Sequence, residues 1–226
     1  EMKVPADCLW AAQTQRSHEN FEIGVGIETM PSEIIHAFGV LKKAAAITNY
    51  SLRPENMTAE KLAAIKEACD EIMAGKLNGH FPLVVWQTGS GTQSNMNVNE
   101  VIANYANREA GKKLLHPNDD VNMSQSSNDV FPSAMHVSAL ISIENGLLPA
   151  LCELIAELRR LEDENEGIIK CGRTHLQDAT PIRFSAEISG WRSSLEKDLQ
   201  MLNYAKETLS SIALGGTAVG TGLNAP

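Results

Sequence analysis

From Pro31 onward Ile34, Ile35, Phe38, Leu41 and Ala45 recur at intervals of three and four, and Leu62, Ile65, Cys69 and Ile72 repeat the pattern after the turn-rich string SLRPENMT. Such intervals line one face of a 3.6-residue helix, so two amphipathic helices are predicted. Gly75 to Pro82 reads as a loop, Val84 to Trp86 as a short extended piece, and the polar string TGSGTQSN leads into a helix from Asn97 to Ala110 stopped by Gly111. The next stretch, KKLLHPNDDVNMSQSSND, has little periodicity and forms a second polar loop. Helical spacing returns from Val130 to about Glu166, with Leu151, Leu154, Ile155, Leu158 and Leu161 on one face. Pro149, close to Gly146, is expected to kink this helix rather than end it. After CGRTHLQDATP, read as a loop, Phe184, Ile188, Trp191, Leu195, Leu199 and Leu202 form a stripe that requires a helical partner. The fold class is mainly α, a bundle completed by further sequence or by other subunits. Any domain boundary falls near residues 116 to 129.

Composition narrows the function classes. With 19 Lys and Arg against 28 Asp and Glu the formal charge is −9, which removes the electrostatic basis for nucleic-acid binding. At 43% hydrophobic and 21% charged, the 226 residues are globular, and 16 Gly with 9 Pro exclude a collagen-like chain. No apolar run approaches the roughly 20 residues needed to cross a bilayer, and the opening EMKVPADCLW lacks a basic segment followed by an apolar one. Neither a membrane span nor a targeting segment is expected. Cys8, Cys69, Cys152 and Cys171 never form CxxC, so reduced thiols and a cytoplasmic location fit. The glycosylation-like triplets at Asn49 and Asn56 are chance matches.

Three segments concentrate hydroxyls and amides: Thr88 to Asn95, His116 to Asp129 and Arg173 to Asp178. With helix-start N–H groups, such side chains hold a small anion by fixed dipoles. The competing reading of Ser126, Ser127 and Asn128 is plain N-capping, since SSND before a helix is also what capping requires. His175 is the best acid/base candidate, because imidazole exchanges protons near neutrality. No metal site is expected: there is no HExxH, paired-Cys or EF-hand spacing. GTGLNA at Gly220 to Ala225 fits a loose dinucleotide pattern but has no preceding strand, so it reads as a turn.

Four strings in this order, WQTGSGTQSNMNVNEVIAN, HPNDDVNMSQSSNDVFPSAMH, GRTHLQDATP and ALGGTAVGTGLN, closely resemble class II fumarase in the fumarase/aspartase superfamily, as does the early VPADCLWAAQTQRS. The resemblance implies a small N-terminal helical domain over residues 1–127 and the first part of a long-helix bundle domain over 128–226. It implies a homotetramer whose active sites combine loops of several subunits, and a reversible trans hydration of fumarate to L-malate in the tricarboxylic acid cycle. No organic cofactor or metal is implied. By the same resemblance Ser90, Gly91, Thr92, Ser126, Ser127 and Asn128 bind the dicarboxylate, Thr174 and His175 arrive from another subunit, and His175 transfers the proton. His116, Pro117, Asn118 and Asp119 correspond to an accessory dicarboxylate site.

Aspartases resemble the pattern too but generally carry Gln in place of His175, which favours hydration over ammonia elimination. A non-catalytic relative is disfavoured by the intact Ser127, Asn128, Thr174 and His175. Two departures stand out. A mobile loop resembling GSSxMPxKxNP is nowhere in the chain, so half an enzyme, inactive alone, is expected. Lys113 stands where the family often has Arg, which weakens bidentate anion binding at the accessory site.

Overall fold

The computed structural model describes residues 2–226. They pack as two compact units, one of residues 2–138 with Ile212–Pro226 and the other of Ala139–Ser211.

The first unit is helical: α1 (Ala12–Asn20), α2 (Ser32–Leu52), α3 (Ala59–Met73), α4 (Thr92–Ala110) and the start of α5 (Ser127–Ser142). α2 and α3 lie where the apolar spacing predicts them, and the Thr58 side chain caps α3 by accepting from Lys61 N at 3.3 Å. Their apolar faces supply Ile35, Phe38, Leu41, Ile65, Cys69 and Ile72 to one core. α4 contributes Val98, Val101, Ile102, Ala103 and Ala106 to that core, and buries Asn95, Asn97, Asn99 and Glu100 as well.

A helix buried on that many sides must satisfy its own polar groups. Asn97 Nδ2 donates to His80 O at 3.1 Å and Asn104 Nδ2 to Leu9 O at 2.8 Å. The Glu100 carboxylate accepts from Ala11 N, Gln13 N and Thr14 N at 2.9, 3.0 and 3.1 Å and from Thr14 Oγ1 at 2.5 Å. It thereby satisfies the orphan donors at the start of α1 and sets negative charge against the positive end of that helix. α1 has no apolar stripe and buries only Thr14 and Ser17, so hydrophobic spacing could not reveal it.

The second unit holds the end of α5, α6 (Leu148–Glu164), an antiparallel hairpin of β1 (Ile169–Thr174) and β2 (Gln177–Arg183), and α7 (Phe184–Leu209). A π-helical turn over Ile143–Leu147 joins α5 to α6, at the place where the sequence predicts a kink. α6 and α7 run antiparallel, tied by Arg192–Glu162 at 2.7 Å, Arg159–Glu196 at 2.8 Å and a Lys206–Glu144 pair. Few side chains here are buried, Leu151, Ile155 and Ile188 among them, while Leu154, Trp191, Met201 and Tyr204 stay exposed.

Two sequence expectations need correction. CGRTHLQDATP is a hairpin with a bulge at Gly172, not a loop, and a Cβ on that glycine would lie 2.6 Å from Thr180 O. The helix running through Ser127–Glu164, 38 residues, is also long and apolar enough to cross a membrane by length and composition. The expectation of no such segment failed because polar Ser and His residues interrupt its apolar positions without adding charge.

Candidate active site

α4 begins at Thr92, earlier than the apolar spacing indicates, because Gly91 makes its N-cap in the left-handed region at φ 72°. The position also demands glycine sterically: a Cβ there would lie 2.1 Å from Cγ of the Phe131 ring. This close approach brings the start of α4 against the start of α5. Ser90 Oγ lies 3.2 Å from Thr92 Oγ1, which in turn lies 3.1 Å from Ser127 Oγ. Ser90 Oγ also reaches Thr88 Oγ1 at 3.4 Å, and Thr88 Oγ1 donates to Gln93 Oε1. Ser90 and Thr92 are exposed and Ser127 is half-buried, so the hydroxyls face solvent.

At the start of α5 the capping reading of SSND holds for Ser126 and Asp129. Ser126 Oγ accepts from Asn128 N at 3.2 Å while Asp129 Oδ1 accepts from Ser126 N at 2.9 Å, a reciprocal cap. Ser127 is thereby left to turn its hydroxyl to Thr92. Asn128 Nδ2 donates to Ala218 O at 3.0 Å, and buried Asp129 accepts through Oδ2 from Gly215 N at 3.2 Å and Thr217 N at 2.8 Å. The GGTAVG segment is therefore docked on the same helix start. Gly220 to Ala225 make turns with no strand before them, in keeping with the rejected dinucleotide reading.

The cluster combines uncharged hydroxyls with the N-terminal ends of two helices. It is suited to hold a carboxylate by hydrogen bonds and dipoles, without a cation at the surface of the site.

Under the 122–126 turn lies a residue that no sequence signal singled out. Lys42 of α2 is 1% exposed, and its Nζ donates to Asn122 Oδ1 at 3.0 Å. Burial pulls its proton affinity down to about 7, partly opposed by Cys69 and Asp129. The Cys69 thiol is pushed up to about 12 by the same burial. A lysine within an apolar spacing reads as a solvated position; only the packed structure reveals it.

In the HPND segment a π-helical turn spans Pro117–Val121. His116 Nδ1 accepts from Asp119 N at 3.3 Å and lies 3.1 Å from Asp119 Oδ2, while Asn118 and Asp119 are exposed. Asp120 holds the turn: Oδ2 accepts from His116 N at 2.7 Å and Oδ1 pairs with Lys61 at 2.6 Å. Lys113 is exposed.

Thr174 and His175 belong to the second unit. Thr174 pairs with Gln177 across the hairpin, and His175 and Leu176 form its two-residue tip with φ of 49° and 60°. Two consecutive positive φ values define a type I′ turn, which usually takes Asn and Gly. Here a histidine and a leucine occupy it, both exposed, Leu176 at 96%. The imidazole is thus exposed and not enclosed by its own unit. Among the described residues no group of three or more His, Cys, Asp or Glu side chains is arranged to hold a metal ion.

Over residues 1–226 the sequence matches the family described as lyase. The chain belongs to this lyase family. It is 59% identical to fumarate hydratase class II of Bacillus cereus over 229 residues, covering 100% of this chain and 49% of that protein. Fumarate hydratase class II of Staphylococcus epidermidis is 53% identical with the same coverage. Among solved structures, class II fumarase from Schistosoma mansoni matches with a TM-score of 0.93 at 42% identity, covering 99% of this chain and 47% of that one. The fumarate lyase:delta crystallin from Brucella melitensis bound to cobalt matches with a TM-score of 0.89 at 41% identity, covering 99% and 49%. This lyase chain therefore spans about half the length of the relatives it matches.

Proposed function

We propose that this chain supplies part of a class II fumarate hydratase, which adds water reversibly and in trans across fumarate to give L-malate. The observation that carries the proposal is the meeting of Thr92 Oγ1 and Ser127 Oγ, 3.1 Å apart, at the starts of two helices. The relatives named fumarate hydratase class II support it.

In the elimination direction a weakly acidic proton leaves C3 of malate, and charge builds on the adjacent carboxylate as an aci-carboxylate. Neutral donors fixed in advance stabilise that charge more than the ground state and need no reorganisation at the moment of reaction. Ser90, Thr92, Ser127 and Asn128 play this part, with Thr174 joining from another subunit. Ser126 and Gly91 belong to the same substrate site and also shape the two helix starts. His175, lent by another subunit at its hairpin tip, exchanges a proton with the water that enters or leaves at C2. Neither an organic cofactor nor a metal takes part.

A homotetramer follows from the same proposal. The exposed Leu154, Trp191, Met201 and Tyr204 on α6 and α7 supply the apolar faces it needs. The enzyme works in the cytoplasm, in the tricarboxylic acid cycle, and the four free cysteines fit a reducing compartment. The His116 to Asp119 turn is an accessory dicarboxylate site.

The test is loss of fumarate ultraviolet absorbance with the full-length protein, with aspartate offered in parallel as the alternative substrate. Fumarate hydration is expected, and His175→Asn should lower kcat by roughly 10² to 10⁴. Turnover of aspartate in place of malate, or full activity in H175N, would overturn the assignment.

A further inference from the structure

We propose that Lys42 is a positioning residue for the dicarboxylate site: its buried amine donates to Asn122 and so holds the 122–126 turn that presents Ser126, Ser127 and Asn128. The proposal rests on the reading of those three residues as part of the substrate site.

The geometry converges on one atom. Asn122 Oδ1 accepts from Lys42 Nζ of α2 at 3.0 Å and from Asn95 Nδ2 and Asn99 Nδ2 of α4 at 3.1 and 3.3 Å. An amide oxygen has two lone pairs, so the three donors share it, with Lys42 Nζ the shortest contact. From Asn122 the grip passes into the turn. Its Nδ2 donates to Gln125 O at 3.3 Å, and Gln125 Nε2 donates to Val121 O and Met123 O at 3.1 and 3.0 Å. Asn49 Nδ2 of α2 adds a second tie to Met123 O at 3.0 Å. Ser124 is held at φ 61°, a left-handed conformation that a serine keeps only when its surroundings impose it. Two helices thus suspend the turn, and Lys42 provides the only amine donor among these bonds.

A lysine kept only to fill space would be a poor choice. Burying an ammonium with one hydrogen-bond partner is costly, and methionine would occupy the same volume without that cost. The ionisable groups that face Lys42 are Cys69 on α3, whose thiol is kept protonated by burial, and Asp129 on α5, whose carboxylate favours the protonated amine. Asp129 is itself the cap of the helix that carries Ser127 and Asn128. The amine therefore sits between the two anchors of the site loop, Asn122 before it and Asp129 after it.

The test compares Lys42→Met, which fills the space without a donor, with Lys42→Gln, which keeps a neutral donor. Amide hydrogen exchange at Ser126, Ser127 and Asn128 is read against Val98 to Ala103 of α4, which report global opening. K42M should accelerate the loop amides by about 10-fold or more with the α4 amides unchanged, and K42Q should recover most of the protection. Loop exchange within about 2-fold of wild type, or equal acceleration in α4, would overturn the proposal. If K42M does not fold, Asn122→Ala gives the same two outcomes, since Lys42 can then shed its proton.

Steady-state hydration by the full-length protein separates this proposal from the reading beneath it. K42M is expected to raise KM about 10-fold while kcat changes less than about 3-fold. Faster loop exchange with an unchanged KM would support the positioning and refute Ser126 to Asn128 as substrate groups. A raised KM with unchanged loop exchange would refute the positioning.

Discussion

Asp129→Asn is the substitution with the most to reveal, because one buried carboxylate serves two segments at once. In the wild-type chain Asp129, 1% exposed, accepts from Ser126 N at 2.9 Å through Oδ1 and from Gly215 N and Thr217 N at 3.2 and 2.8 Å through Oδ2. The amide keeps one acceptor oxygen. Turned to the tail it retains two bonds, both weakened by the loss of charge, and sets its NH₂ against the Ser126 N–H. Losing one bond to a charged group costs about 1.5–3 kcal/mol, and halving two others brings the sum to roughly 3–6 kcal/mol. For a chain of this size that lowers Tm by about 6–24 °C. Circular dichroism on heating measures the total, and amide exchange at 213–218 and 126–128 locates it. Both segments should lose protection together, because they share the carboxylate. A loss below about 1 kcal/mol with the tail still protected would mean that water or another group already satisfies those three N–H groups.

Two further predictions concern the ground beneath the site. The folded chain holds Lys42 at about 7 against an ordinary 10.5, so from pH 7 to 10.5 the unfolded chain binds the extra proton and stability rises with pH. It holds Cys69 at about 12 against an ordinary 9.0, so from pH 9 to 12 the folded chain binds the extra proton and stability falls. Each limb has a slope of up to about 1.4 kcal/mol per pH unit, and the two cancel between about pH 9 and 10.5. Urea midpoints from pH 7 to 11 should trace this plateau. K42M should lose the rising limb and Cys69→Ala the falling one, whereas a midpoint flat from pH 7 to 9 in the wild type would contradict the buried amine. Gly91→Ala places a methyl 2.1 Å from the Phe131 ring at φ 72°, and should cost about 3–5 kcal/mol in urea unfolding. Adding Phe131→Ala to G91A should recover the steric part of that loss but not the part from the left-handed backbone; equal stability of G91A and wild type would refute both.

What the sequence discloses divides along a physical line. α2 and α3 are legible because each buries an apolar face, and α6 and α7 carry the same apolar spacing although little of it is buried within their own unit. α1 is not, since its start is secured by Glu100, a carboxylate some ninety positions away in sequence. The first turn of α4 is hidden for a related reason: its entry depends on Gly91 finding the Phe131 ring. The hairpin escaped notice because His175 and Leu176 occupy a turn that Asn and Gly usually mark. Candidate site residues were legible as types, but the division of labour within SSND was not. Which hydroxyl the cap consumes depends on Asp129 reaching back to Ser126, a contact that spacing alone does not disclose.

A chain of net charge −9 that is to hold a dianion needs a local source of positive potential. Arginine in the pocket would bind substrate and transition state alike, and uniform binding does not lower the barrier between them. The structure offers a different arrangement. Helix N-termini and hydroxyls stand at the surface of the site, and the buried amine of Lys42 is held behind them on Asn122. From there it can fix the loop and contribute field without contacting the ligand. Donors so fixed respond most strongly when charge concentrates on one carboxylate, which is the moment at which an aci-carboxylate forms. If the chain works as proposed, the rigidity of the Ser126 to Asn128 turn is part of the chemistry, and Lys42 and Asp129 would serve it by restricting how far those donors can move.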